Sequence, residues 1–149
     1  MKPDFEPTAR QRWMQVLARA GERLAHYEAQ LEGVQYQCIR RPETGMAMVR
    51  GRMGGTGQAF NLGEMTVTRC VIQLPDGRAG YSYVAGRNKR HAELAAVADA
   101  LLQGEENSAL MSSLISPLAR EQQEKRESRQ ARVAASKVDF FTLVRGENA

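Results

Sequence analysis

The sequence predicts a single α+β domain in which an antiparallel sheet of about four short strands is flanked by N- and C-terminal helices. Three observations carry this expectation. Apolar residues recur at helical spacing before Gly33, alternate with period two over residues 34–84, and return to helical spacing after Asn88. At 149 residues, with 42% hydrophobic and 26% charged side chains, the chain can bury one core without metals or disulfides.

Thr8 and Gln11 form a T-x-x-Q capping box, so residues 1–7 read as a flexible lead and a helix starts directly after them. Trp13, Leu17, Ala20, Leu24, Tyr27 and Leu31 follow in alternating steps of four and three, one stripe of one helix. The stripe reads as core packing rather than a coiled-coil seam, which needs a longer repeat. Gly33 is placed to cap the helix end. Strands are then expected over residues 34–38 and 46–50, with Pro42 and Gly45 punctuating a turn between them. A β-branched run over residues 66–74 predicts a third strand. The P-D-G turn at Pro75, Asp76 and Gly77 leads to a fourth over residues 80–84. Sequential strands usually neighbour one another, so a meander is the simplest order.

Asn88 is placed to cap the next helix, whose apolar face holds His91, Leu94, Ala95, Ala98, Leu101 and Leu102, with Gly104 as its stop. A short helix over residues 108–115 is followed by Ser116 and Pro117, a capping serine with proline at the first helical position. Residues 117–136 form a helix with a thin apolar face and an i,i+4 pair, Glu121 with Lys125. Such a helix lies on the surface or reaches onto another chain. Residues 138–144 are apolar for so polar a surrounding, and need tying down in a sheet or against a partner. Phe140, Phe141, Leu143 and Arg145 are therefore candidate interface residues.

Function classes narrow by composition. Cys38 and Cys70 fit no metal or redox spacing and read as small buried hydrophobes in a reducing compartment. No apolar run approaches the ~20 residues of a membrane helix, and the opening M-K-P-D-F-E-P-T has no signal-peptide core, so a cytoplasmic location is expected. The net charge of +4 is concentrated in the middle, where nine Arg and Lys side chains between Arg40 and Arg90 face only Glu43, Glu64 and Asp76. Nucleic acid, a phosphorylated ligand and an acidic protein surface all suit such a middle, as does a plain solvated face. The absence of a recognition-helix or RNP pattern weighs against nucleic acid.

Two clusters invite a binding role. In R-M-G-G-T-G, Arg52, Gly54, Gly55, Thr56 and Gly57 lack the Lys and Ser/Thr of a phosphate loop and open no helix. The cluster reads as a loop or bulge between strands, with an anion nest as the competing reading. In G-R-N-K-R-H-A-E, Arg87, Lys89, His91 and Glu93 stand at a helix N-terminus, where cations are unfavourable unless an anion or partner arrives. His91 beside the core stripe reads first as structural and second as a proton donor or acceptor. Glu93 can equally pair with Lys89 or Arg90. No catalytic triad, zinc motif or nucleophile elbow is present, and no catalytic residue or metal ligand is assigned.

Taken in order, E-T-G-M at 43–46, R-M-G-G-T-G at 52–57, G-Y-S-Y-V at 80–84, G-R-N-K-R-H-A-E at 86–93 and S-K-V-D-F-F-T-L-V-R-G at 136–146 strongly resemble the PhnG family. That family belongs to the bacterial carbon–phosphorus lyase system for phosphonate breakdown. Tyr83 stands where the family pattern leads one to expect Trp, a change that keeps an aromatic contact. The resemblance implies a structural subunit assembled with PhnH-, PhnI- and PhnJ-type partners. Their joint reaction replaces the adenine of ATP with a phosphonate, giving ribose 1-phosphonate 5-triphosphate. The resemblance also places the iron–sulfur and S-adenosylmethionine chemistry on a partner, with no cofactor bound by this chain.

Overall fold

The computed structural model describes residues 6–52 and 59–147. Helix α1 (Ala9–Arg19) opens with the predicted capping box: Thr8 Oγ1 accepts from the Gln11 N–H at 3.1 Å, and the Thr8 N–H donates to Gln11 Oε1 at 2.8 Å. The expected single helix is broken at Gly21, whose φ of 56° is left-handed, and the chain continues as a 3-10 helix (Gly21–Leu31). Apolar spacing does not reveal this break, because steps of three and four keep side chains on one side in both helix types. The stripe is indeed core: Trp13, Leu17, Ala20, Leu24 and Leu31 are buried and Tyr27 packs at its margin. Gly33, at φ 78°, ends the segment.

The sheet has three strands rather than four, in the order β1 (Gln37–Arg52), β2 (Ala59–Gln73) and β3 (Ala79–Ala85), all antiparallel. The two first expected strands are one. Pro42 and Gly45 do not turn the chain, because β1 is an edge strand on which proline need not donate a ladder bond. The irregularity appears instead as register shifts between Cys38 and Arg40 and between Arg40 and Glu43. The P-D-G turn forms as expected: Leu74 N–H donates to the Arg78 carbonyl at 2.8 Å, Asp76 Oδ1 accepts from Arg78 N–H at 3.0 Å, and Gly77 has φ 96°.

One sheet face, with Thr68, Cys70, Ile72, Ser82 and Val84 buried, packs on α2 (Lys89–Leu102). Helix α2 is buried on nearly every side, not on one stripe, because alanines let the sheet and the N-terminal helices approach from opposite directions. The approach is tightest at Gly80, where a Cβ would lie 1.9 Å from the Ala96 carbonyl oxygen. Asp99 locks the layers together. Its fully buried carboxylate accepts from Arg10 Nη2 at 2.9 Å, from Trp13 Nε1 at 2.8 Å and from the Tyr81 N–H at 2.9 Å. Cys70 is buried as expected, but Cys38 is exposed on the edge strand.

Beyond the Val67–Ala85 pair β3 ends, while β1 and β2 continue together to Arg52–Ala59. This two-stranded ribbon exposes Met46, Met48, Phe60, Leu62 and Met65. At the other end of the chain, a short helix α3 (Asn107–Leu110), one π turn (Met111–Ile115) and α4 (Ser116–Glu147) run on without a break. Ser116 is itself helical and caps nothing. The π turn absorbs Pro117, and Gln30 Nε2 donates at 3.1 Å to the Ser113 carbonyl, four residues before the proline that has no N–H to offer it. Glu121 meets Arg23 at 2.8 Å and 3.0 Å and Tyr27 Oη at 3.3 Å, rather than the expected Lys125, and residues 123–137 of α4 are exposed. The backbone of Phe140, Phe141, Leu143 and Arg145 continues α4, while their side chains lie outside the described part of the structure. Among the described residues, no helix is long and apolar enough to cross a membrane.

Candidate functional site

Where the ribbon leaves the body, a groove of about 530 Å³ opens between residues 42–46 of β1, Val67 and Arg69 of β2, Tyr83 of β3 and Lys89 at the start of α2. Three of the sequence blocks singled out above, E-T-G-M, G-Y-S-Y-V and G-R-N-K-R, meet at this groove. Hydrogen bonds hold the meeting in place. Thr68 Oγ1 donates to the Gly86 carbonyl at 2.7 Å and lies 3.0 Å from Thr44 Oγ1, and the Gly86 N–H donates to the Thr66 carbonyl at 2.8 Å. Gly86 has φ 98°, a conformation glycine adopts at no steric cost, so the turn into α2 can fold back across β2. Tyr83 is 55% exposed there, and Glu43 lies 3.8 Å from Arg69 and 3.7 Å from Arg40.

The predicted cluster at the start of α2 divides. Asn88 Oδ1 accepts from the His91 N–H at 3.0 Å, the expected cap. Lys89 lines the groove and Arg87 is exposed on the turn. His91 points inward: it is 4% exposed, and its Nε2 lies 2.8 Å from the Leu17 carbonyl oxygen. Glu93 also faces the body. Tyr36 Oη donates to Glu93 Oε1 at 2.5 Å, and Arg90 approaches the other carboxylate oxygen at 3.7 Å. Burial, followed by the neighbouring Glu93 carboxylate, pushes the Tyr36 hydroxyl well above the usual tyrosine range. Arg52 is the last residue of β1, and its side chain is outside the described structure, as are Gly54, Gly55, Thr56 and Gly57 entirely.

Much of the basic middle is matched by acids, several of them distant in sequence. Arg78 pairs with Asp76 at 2.7 Å and Glu106 at 3.0 Å, Arg90 with Glu28 and Glu93, and Arg69 with Glu43. Glu43, Arg69 and Tyr83 were not singled out by residue chemistry. Glu43 and Tyr83 do sit inside quoted blocks, whereas Arg69 carries no local signal and reaches the groove through strand register alone. Among the described residues, no group of three or more His, Cys, Asp or Glu is placed to hold a metal ion.

A family model described as phosphonate metabolism protein PhnG matches residues 8–146. A protein of Rhizobium meliloti (strain 1021), described as alpha-D-ribose 1-methylphosphonate 5-triphosphate synthase subunit PhnG, is 40% identical over 141 residues, spanning 93% of this chain and 90% of that protein. Matched from its capping threonine into the last turn of α4, the chain belongs to the PhnG family of phosphonate metabolism proteins.

Proposed function

We infer that the chain is the PhnG-type subunit of a ribose 1-methylphosphonate 5-triphosphate synthase and acts within that assembly. The observation that carries this reading is the near full-length match to a synthase subunit. The architecture supports it. A ribbon with exposed apolar side chains and a long helix whose residues 123–137 are exposed are the parts a subunit presents to its neighbours. On this reading the partners are PhnH-, PhnI- and PhnJ-type subunits in the cytoplasm. ATP and an alkylphosphonate are the substrates of the assembly, adenine leaves, and the iron–sulfur and S-adenosylmethionine chemistry belongs to a partner.

Co-expression tests the reading: the chain is expected to co-purify with its companion synthase subunits and to be required for adenine release. A chain that stays separate, with adenine release undiminished when it is omitted, overturns it. Direct anion binding and nucleic-acid binding are not favoured. Among the described residues of the expected ligand cluster, only Lys89 lines the groove, and several basic residues of the middle already have carboxylate partners.

A further inference from the structure

The two edges of the sheet are finished differently. Along β3, the Tyr81 N–H donates to Asp99 Oδ2 at 2.9 Å and the Ala79 carbonyl accepts from Gln103 Nε2 at 2.8 Å, so α2 occupies the first half of this edge with side chains. Along β1, among the described residues, the only hydrogen bonds to the main chain come from β2. The first part of β1 carries the devices that blunt an edge, a proline and two register shifts. The next part does not: from Glu43–Arg69 to Val49–Gly63 the register is unbroken.

Gly45 lies within that straight stretch. Its φ is not positive, and a Cβ there would meet nothing within 4 Å. Nothing inside the chain calls for glycine, which costs roughly 0.5–1 kcal/mol relative to alanine within a strand. A glycine so placed leaves the face of the strand clear for a chain that lies along this edge. Beside it Met46 and Met48, 60% and 56% exposed, stand on one face of the ribbon opposite Thr66 and Glu64.

We propose that residues 43–49 of β1 accept an extended, carboxylate-bearing strand from a companion subunit, which extends the sheet by one strand. This rests on the subunit reading above. Charge selects the occupant. Strand β1 carries Arg40, Arg41, Arg50 and Arg52 against Glu43 alone. Two copies paired antiparallel about Gly45 and Met46 set Arg41 against Arg50, and two copies in parallel register stack each arginine on itself. Like charges directly opposite destabilise a strand pair. A strand with acidic ends and apolar residues between them complements the arginines and the two methionines, while the backbone ladder supplies affinity.

Hydrogen exchange on the isolated chain and on the co-purified assembly tests the proposal. The edge-facing amides of Thr44, Met46 and Met48 are expected to exchange at least tenfold more slowly in the assembly, while those of residues 79–85 stay unchanged. Met46→Pro removes an N–H that faces the open edge, because the opposite Thr66 carbonyl bonds to Gly86; it is expected to change the melting temperature of the isolated chain little and to cut its recovery in the assembly at least tenfold. An assembly in which these amides exchange as fast as in the free chain overturns the proposal, as does normal recovery of the Met46→Pro chain. So does an isolated chain that sediments as a dimer with those amides already protected, which assigns the edge to a second copy. A wild-type chain that never joins the companion subunits overturns the subunit reading itself, and this proposal with it.

Discussion

Asp99 is wholly buried, yet its carboxylate is met by donors from α1 and β3 and by the Gln103 side chain one turn on. Removing it leaves Trp13 Nε1–H and the Tyr81 N–H without their acceptor, so Asp99→Ala is expected to cost about 3–5 kcal/mol in chemical denaturation, as for other broken buried pairs. Arg10→Ala leaves the buried Asp99 carboxylate without its counter-charge, so it too is expected to be destabilising, although Trp13 Nε1–H and the Tyr81 N–H still donate to that carboxylate. Gly80 is constrained by space rather than by φ. Gly80→Ala drives a methyl into the Ala96 carbonyl, and a loss of about 3 kcal/mol is expected on overpacking grounds, read from the urea midpoint. Periodicity placed Gly80 in a strand but carries no hint of either constraint, because both arise from α2 lying against the sheet.

The elements with local punctuation were legible in advance: the Thr8 capping box, the Asn88 cap, the Gly33 terminus and the P-D-G turn all form. The misread elements share a cause. Pro42 and Pro117 look like breaks, yet each is accommodated, one on a strand edge and the other after a π turn, by tertiary surroundings that spacing does not encode. The groove was partly legible for the same reason: its blocks stood out, but their convergence depends on β1 passing straight through Pro42. Helix α4 offers a test at this scale. The Arg23 hydrogen bonds hold the Glu121 carboxyl below its ordinary value of 4.5, so the pair stabilises the native state above that pH and the contribution is lost as pH falls through the lowered value. The Arg23 and Glu121 side chains are 42% and 32% exposed, so solvent screening keeps the effect small. Thermal melts of wild type and Arg23→Ala are expected to differ at pH 6 and to converge near pH 3.

At the scale of the whole molecule, one buried group and one half-buried group set an alkaline limit. Burial pushes the Cys70 thiol from about 9 up to about 12, with Cys38 and Glu93 adding to it, and the Tyr36 hydroxyl is raised as well. The native state therefore holds protons that the unfolded chain releases. Stability is fully present below about pH 9 and declines as pH rises towards 12, because the unfolded state then binds fewer protons. Urea midpoints measured across that range are expected to fall, and Cys70→Ala is expected to flatten the decline while lowering stability at neutral pH through the lost packing.

The unequal edges also bear on stoichiometry. A sheet open on both sides can be lengthened indefinitely, each newcomer presenting a fresh edge to the next, and that is the route to filaments. Here the Tyr81 N–H donates to Asp99 and the Ala79 carbonyl accepts from Gln103, so α2 takes up the start of one side. A chain built this way ends a composite sheet more readily than it relays one. On the strand-addition proposal each copy contributes one acceptor edge, and lengthening of the sheet through this chain is hindered at β3.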